Sequence, residues 1–256
     1  MLKNGMFLLA LFLFSSTTVL AGESRIVPPG KDQALRCYET HPSKEACKLE
    51  RDYALKVGCI TQEEFDLLVK YEAYPVCDDN DYVGWCPPGC FIRGTMILVT
   101  DKQTGLVKYV PVENIVAHRL QYLVWCMSSS RNGFTFAPHE IKLTTQGHEE
   151  EPIVYVHLDN GSQIGLTTEH GVLLANGTVT NARSLKVGDH LVDLDHNEMT
   201  VVKIHQENTA DLVFNLLVDD AADIKNHFIV AQDIVVGDLA WQGSLSSNLN
   251  KFVLEN

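Results

Sequence analysis

Two patterns of hydrophobic and polar positions divide the chain near residue 90. Ahead of it, "SKEACKLERDYALK" (43–56) places Ala46, Leu49, Tyr53 and Leu55 near helical spacing among charges. This predicts a helix that Gly58 ends. Thr61 opens a second, "TQEEFDLLVKYEAY", with Phe65, Leu68 and Tyr71 on one face. Thr61 and Glu64 there have capping-box spacing. "DDNDYVGWCPPG" (78–89) is rich in turn formers and reads as a linker. Beyond it come short apolar or alternating runs: "GTMILVT", "LVKYVPV", "LQYLVWCM", "PIVYVHLDNGSQIGLTT", "GVLLANGTVT", "TVVKIHQ", "LVFNLLV" and "HFIVAQDIVVGD". The Asn-Gly pairs in "DNG" (159–161) and "ANG" (175–177) mark hairpin turns. Short strands in series, without long helical patterns, predict a mainly β domain behind a small α-helical module. "HEIKLTTQGHEEE" (139–151) is polar and charged, and reads as a solvated insertion.

The first residues add a destination. Lys3, the apolar run "MFLLALFLF" and the small residues of "VLAG" read as a secretory signal peptide cleaved after Ala21. The mature chain is then expected to be secreted or periplasmic, with no stable membrane span. A net charge of −13 argues against a nucleic-acid partner. In an exported protein, seven cysteines suggest disulfides. Cys37, Cys47, Cys59, Cys77 and Cys86 precede Cys90, and Cys126 stands alone further on. Each bridge among the first five would stabilise the small helical module by about 2–4 kcal/mol. An odd total leaves at least one cysteine without a partner in the chain, and spacing does not choose the pairings. "NGS" and "NGT" (160–162 and 176–178) are glycosylation sequons in a suitable host.

Three pieces of the β half carry chemistry. "CFIRGTMILV" begins with Cys90, directly after Gly89. "LTTEHGVLLANGTVTNARSLKVGDHLV" sets Thr167 and His170 in a T-x-x-H step ahead of an Asn-Gly hairpin. "VFNLLVDDAADIKNHFIVAQDIVVGD" closes the series, with His227 inside it. Taken singly, each has an ordinary reading: Cys90 as half of a disulfide, Thr167 as a strand residue, His170 as a structural or surface histidine. In this order they resemble the N-terminal splicing block, the TxxH block and the C-terminal strands of the hedgehog–intein (Hint) family. The resemblance runs from Cys90 to Asp238 and does not reach the cysteine-rich part. It implies a leader (1–21), a cysteine-rich module with linker (22–89), a horseshoe-like all-β Hint domain (90–240) and a tail (241–256).

The resemblance also implies self-processing. The Cys90 sulfur would attack the Gly89 carbonyl and convert the Gly89–Cys90 amide into a thioester, an N-to-S acyl shift. His170 would protonate the departing nitrogen, Thr167 would hydrogen-bond the same peptide, and His227 would serve near the C-terminal block. Water, a thiol or an amine would then release or transfer the N-terminal module, so the substrate is the chain itself and no cofactor is expected. The layout is that of bacterial intein-like and hedgehog-type domains, with a tail too short for a sterol-recognition region. Departures bear on activity. Gly237-Asp238-Leu239 stands where splicing inteins have His-Asn and a Cys, Ser or Thr, and Asn215 replaces a usual aspartate. Full splicing is therefore not expected, and a catalytically inactive Hint scaffold in a secreted, disulfide-stabilised binding protein is the alternative. Cys86 (or Cys126) is a possible redox partner that would cap Cys90. His139, His148 and His157 with Glu149–Glu151 match no metal-binding spacing, and no metal is expected.

Overall fold

A computed structural model describes residues 44–70, 74–78, 81–86, 90–130, 133–147, 149, 151–218 and 227–241. The expected leader, Gly89 and the residues after 241 lie outside them. Helices α1 (Lys44–Val57) and α2 (Gln62–Lys70) form where the periodicity places them. The capping box is made: Thr61 N–H donates to Glu64 Oε2 at 2.7 Å, and Glu64 N–H returns to Thr61 Oγ1 at 3.2 Å. The expected linker is instead largely strand, because β1 (Tyr74–Asp78) pairs antiparallel with β2 (Asp81–Cys86). Backbone pairing between the two strands outweighs the turn-rich composition there.

Among the described residues from 90 on, the regular structure is mainly β. The elements are β3 (Phe91–Ile92), β4 (Met96–Asp101), β5 (Val107–Pro111), α3 (Val112–Ala117), β6 (Tyr122–Ser130), β7 (Gly133–His139) and β8 (Ile141–Gly147). They continue as β9 (Ile153–Leu158), β10 (Gln163–Leu166), β11 (Gly171–Leu173), β12 (Val179–Asn181), β13 (His190–Val192), β14 (Glu198–Glu207), β15 (Val213–Val218), β16 (Phe228–Ala231) and β17 (Ile234–Gly237). One antiparallel sheet runs β13-β14-β9-β10-β3-β15-β8, and a second runs β12-β11-β17-β16-β4-β6-β7 with β5 paired to β4. Phe91, Val156, Leu166 and Leu216 of the first meet Ile97, Val172, Ile229 and Val236 of the second in one core.

The two Asn-Gly turns close β9–β10 and β11–β12, with φ of 87° at Gly161 and 80° at Gly177. Those dihedrals are why glycine sits there. The segment expected as a solvated insertion contains β8, a full partner of β15. Ile141, Leu143 and Thr145 alternate inward while Lys142 and Thr144 are half-buried. The period-2 pattern was present beneath the charges.

Candidate functional site

Cys90 directly precedes β3 and is fully buried against Ile153 and Val213. Thr167, at the end of β10, holds it at both backbone groups. The Cys90 N–H donates to Thr167 Oγ1 at 2.6 Å, and Thr167 N–H donates to the Cys90 carbonyl at 2.9 Å. This follows from strand pairing, since Leu166 is in register with Phe91 one residue further on. The nitrogen so gripped is that of the Gly89–Cys90 peptide. Any twist or charge at that bond is felt by the threonine hydroxyl.

The turn after Thr167 brings His170 back, with His170 N–H donating to the Thr167 carbonyl at 3.1 Å. Its ring is fully buried, with Phe91 tilted against it at 4.4 Å between centroids. Neither ring nitrogen meets hydrogen-bond geometry. Burial pushes the imidazole down to about 3, while the nearby backbones of Gly237 and Cys90 pull the other way. His170 is therefore neutral at physiological pH, with the Cys90 and Gly237 backbones near its ring. A second layer stitches the loop in place. Ala182 N–H donates to the His170 carbonyl, Arg183 N–H to that of Thr168, and Arg183 pairs with Glu169 at 2.6 Å. Thr168 Oγ1 donates to Glu151 at 2.5 Å.

The other chain end arrives at the same place because Val172 of β11 pairs with Val236 of β17. Beyond Gly237, the buried Asp238 carboxylate takes the N–H of Val218 at 3.0 Å, that of Ala240 at 2.9 Å, and His227 Nδ1 at 2.9 Å. Asp238 N–H also donates to the His227 carbonyl at 2.9 Å. A carboxylate so bound is not free to turn on its own carbonyl and close a ring. Gly237 has no spare room, since a Cβ there would fall 2.8 Å from Trp241 Cβ. Trp241 in turn packs on Phe228. Leu239, Ala240 and Trp241 are buried, which seals the position where a splicing acceptor would stand.

The structure thus brings Cys90, Thr167 and His170 together, and sets His227 beside Asp238 in the C-terminal branch. Cys90 and Cys126 carry thiols. Cys126 is buried, and its thiol is pushed up by burial and then by the Asp238 charge. The Cys86 side chain lies outside the described residues. Asn215 is buried on β15, opposite Thr145, and its side-chain oxygen accepts Leu216 N–H at 2.7 Å. His157 sits on the β9–β14 face, its Nε2 3.2 Å from His205 Nδ1. Sequence reasoning missed Phe91 and Glu151 as parts of the site. Phe91 carried only the ordinary signal of a buried strand residue, and Glu151 sat in a uniform acidic run.

No family model and no curated protein matches the sequence. Solved structures do. An intein from a hyperthermophile aligns with a TM-score of 0.50 at 19% identity, covering 59% of this chain and 100% of its own. The bacterial intein-like domain from Clostridium thermocellum aligns at 0.47 and 24% identity, over 59% and 100% of the two chains. A DnaB intein from Synechocystis aligns at 0.47 and 18%, over 59% and 99%. The β part of the chain accordingly has the Hint, or intein-like, fold.

Proposed function

We propose that this Hint domain cuts its own chain once, at Gly89–Cys90, and does not splice. The observation that carries the reading is the grip of Thr167 on the Cys90 nitrogen with a buried, neutral His170 beside it. The Cys90 thiol gives its proton to a His170 nitrogen as sulfur bonds to the Gly89 carbonyl carbon. The carbon–nitrogen bond breaks, and His170 returns the proton to the departing Cys90 nitrogen. Holding sulfur beside its target replaces much of the reactivity that a mostly protonated thiol lacks. Water, a thiol or an amine then takes the acyl group and leaves Cys90 as a new N-terminus. The engaged Asp238 and the buried Leu239 support a reaction that stops at this end.

The N-terminal segment is proposed to be an export signal, the acceptor a small nucleophile from outside, and the compartment oxidising. Disulfide bonding at Cys59 supports the last point. A second reading, a catalytically silent Hint scaffold in a secreted binding protein, draws on Asn215 and Gly237-Asp238. One experiment separates them. The mature chain is treated with dithiothreitol or hydroxylamine and followed by intact mass. Self-cleavage gives a break between Gly89 and Cys90, abolished in Cys90→Ala and slowed about 10²–10⁴-fold in His170→Ala. One uncut species throughout establishes the scaffold.

A further inference from the structure

The N-terminal module is not a bead on a string. Ala54, Cys59, Ile60 and Leu68 form one buried cluster with Leu143, Leu217, Leu239 and Ala240. The first four belong to the α1–α2 part of the chain and the last four to the Hint domain. Leu143 and Leu217 are a registered cross-strand pair on β8 and β15. Alternation explains why β15 is buried along its whole length: Phe214, Leu216 and Val218 face the main core, whereas Leu217 faces the module. Glu63 of α2 forms a salt bridge with Lys142 of β8, and β2 also lies against β8.

We infer that cleavage at Gly89–Cys90 leaves the module seated on the Hint domain, so the product is a nicked, two-chain complex and not a released module. The inference rests on the proposed cleavage. Covalent links do not decide the matter. Cys59 is disulfide-bonded, while Cys90 and Cys126 are thiols. Those two are the cysteines of the sequence after Gly89, so no disulfide crosses the junction. Retention falls to the apolar cluster. Breaking one peptide bond removes none of its contacts, while separation would open the shared cluster to water. The acceptor that takes the acyl group would then modify the C-terminus of a subunit still in place.

The test uses hydroxylamine, which opens a thioester without reducing disulfides. A parallel sample carries a protease site inserted between Pro87 and Pro88 and is cut there. Cleavage is scored by intact mass under denaturing conditions, and association by native size exclusion at about 1 µM, where co-elution demands a Kd below that value. Co-elution of both pieces at the size of the uncut chain is the expected result. Leu143→Asp and Leu68→Asp place a carboxylate into the cluster from opposite sides, and each should make the nicked protein separate while the uncut protein elutes unchanged. Two separate species from nicked wild type overturn the inference, as does unaltered co-elution of both variants. If hydroxylamine leaves the chain whole, self-cleavage fails as a reading, and the protease-nicked protein still decides retention.

Discussion

Thr167 gives Cys90 both a donor and an acceptor, and the consequences differ for each. Its own N–H bond survives substitution by any residue but proline, whereas the hydroxyl that takes the Cys90 N–H at 2.6 Å does not. Thr167→Val keeps the shape and leaves that buried N–H without its acceptor, a loss of about 1–3 kcal/mol. Thr167→Ser retains the oxygen and should lie close to wild type. Urea unfolding of the pair in a Cys90→Ala background, where the chain stays uncut, reads the difference. His170 adds a pH dependence whose sign is set by its burial. Folded, the ring titrates near 3; unfolded, it titrates near an ordinary histidine, about 6.5. Between those values the unfolded chain binds the extra proton, so this contribution is complete above about pH 6.5 and is lost as pH falls. By pH 5 the loss is about 2 kcal/mol. In the same background, His170→Gln should remove that much of the fall in unfolding free energy between pH 7 and 5. That Cys90, Thr167 and His170 stand together was legible because the motifs that hold them follow one another in a recognisable order along the chain. Glu151 was not, since nothing local distinguishes it from Glu149 and Glu150, and only its contact with Thr168 does.

At the level of elements, legibility followed how local the determinant was. The β9–β10 and β11–β12 hairpins could be placed from Asn-Gly alone, because the turn needs a residue at positive φ and glycine supplies it locally. Strand β8 was hidden because its inward positions, Ile141, Leu143 and Thr145, are flanked by charges at either end. What makes it a strand is β15, far along the chain. The β16–β17 hairpin shows the opposite case. Ala231 pairs with Ile234, and the two turn residues, Gln232 (φ 50°) and Asp233 (φ 66°), both adopt left-handed backbone. Neither residue announces such a turn. Gln232 N–H donates to the Met96 carbonyl at 2.9 Å, so tertiary contact imposes a conformation that a long side chain disfavours. Gln232→Asn keeps that N–H and suits the left-handed region better. It should raise stability by roughly 0.5 to 1 kcal/mol, seen as a higher urea midpoint with an unchanged slope.

At the scale of the molecule, the sequence suggested a seam near residue 90, since the helical period stops and the strand period starts there. The seam in pattern is not a seam in packing. Periodicity tells which face of an element is apolar, but not what covers it, and β15 is buried on both faces. One face closes the Hint core, and the other takes the helices of the module through Leu217 and Leu143. Leu239 and Ala240 join the same cluster, so the segment that seals the C-terminal branch is held in part by the N-terminal module. Stability should therefore be shared across the seam. Leu217→Ala opens a cavity at this shared contact and should cost about 2–5 kcal/mol. Native-state hydrogen exchange of the uncut Cys90→Ala protein locates the loss. If the module and domain form one cooperative unit, amides of α2 (62–70) and of β15 (213–218) exchange faster together in the Leu217→Ala variant. Faster exchange confined to β15, with α2 unmoved, would show that the helices keep their own stability and that the contact joins two independent units.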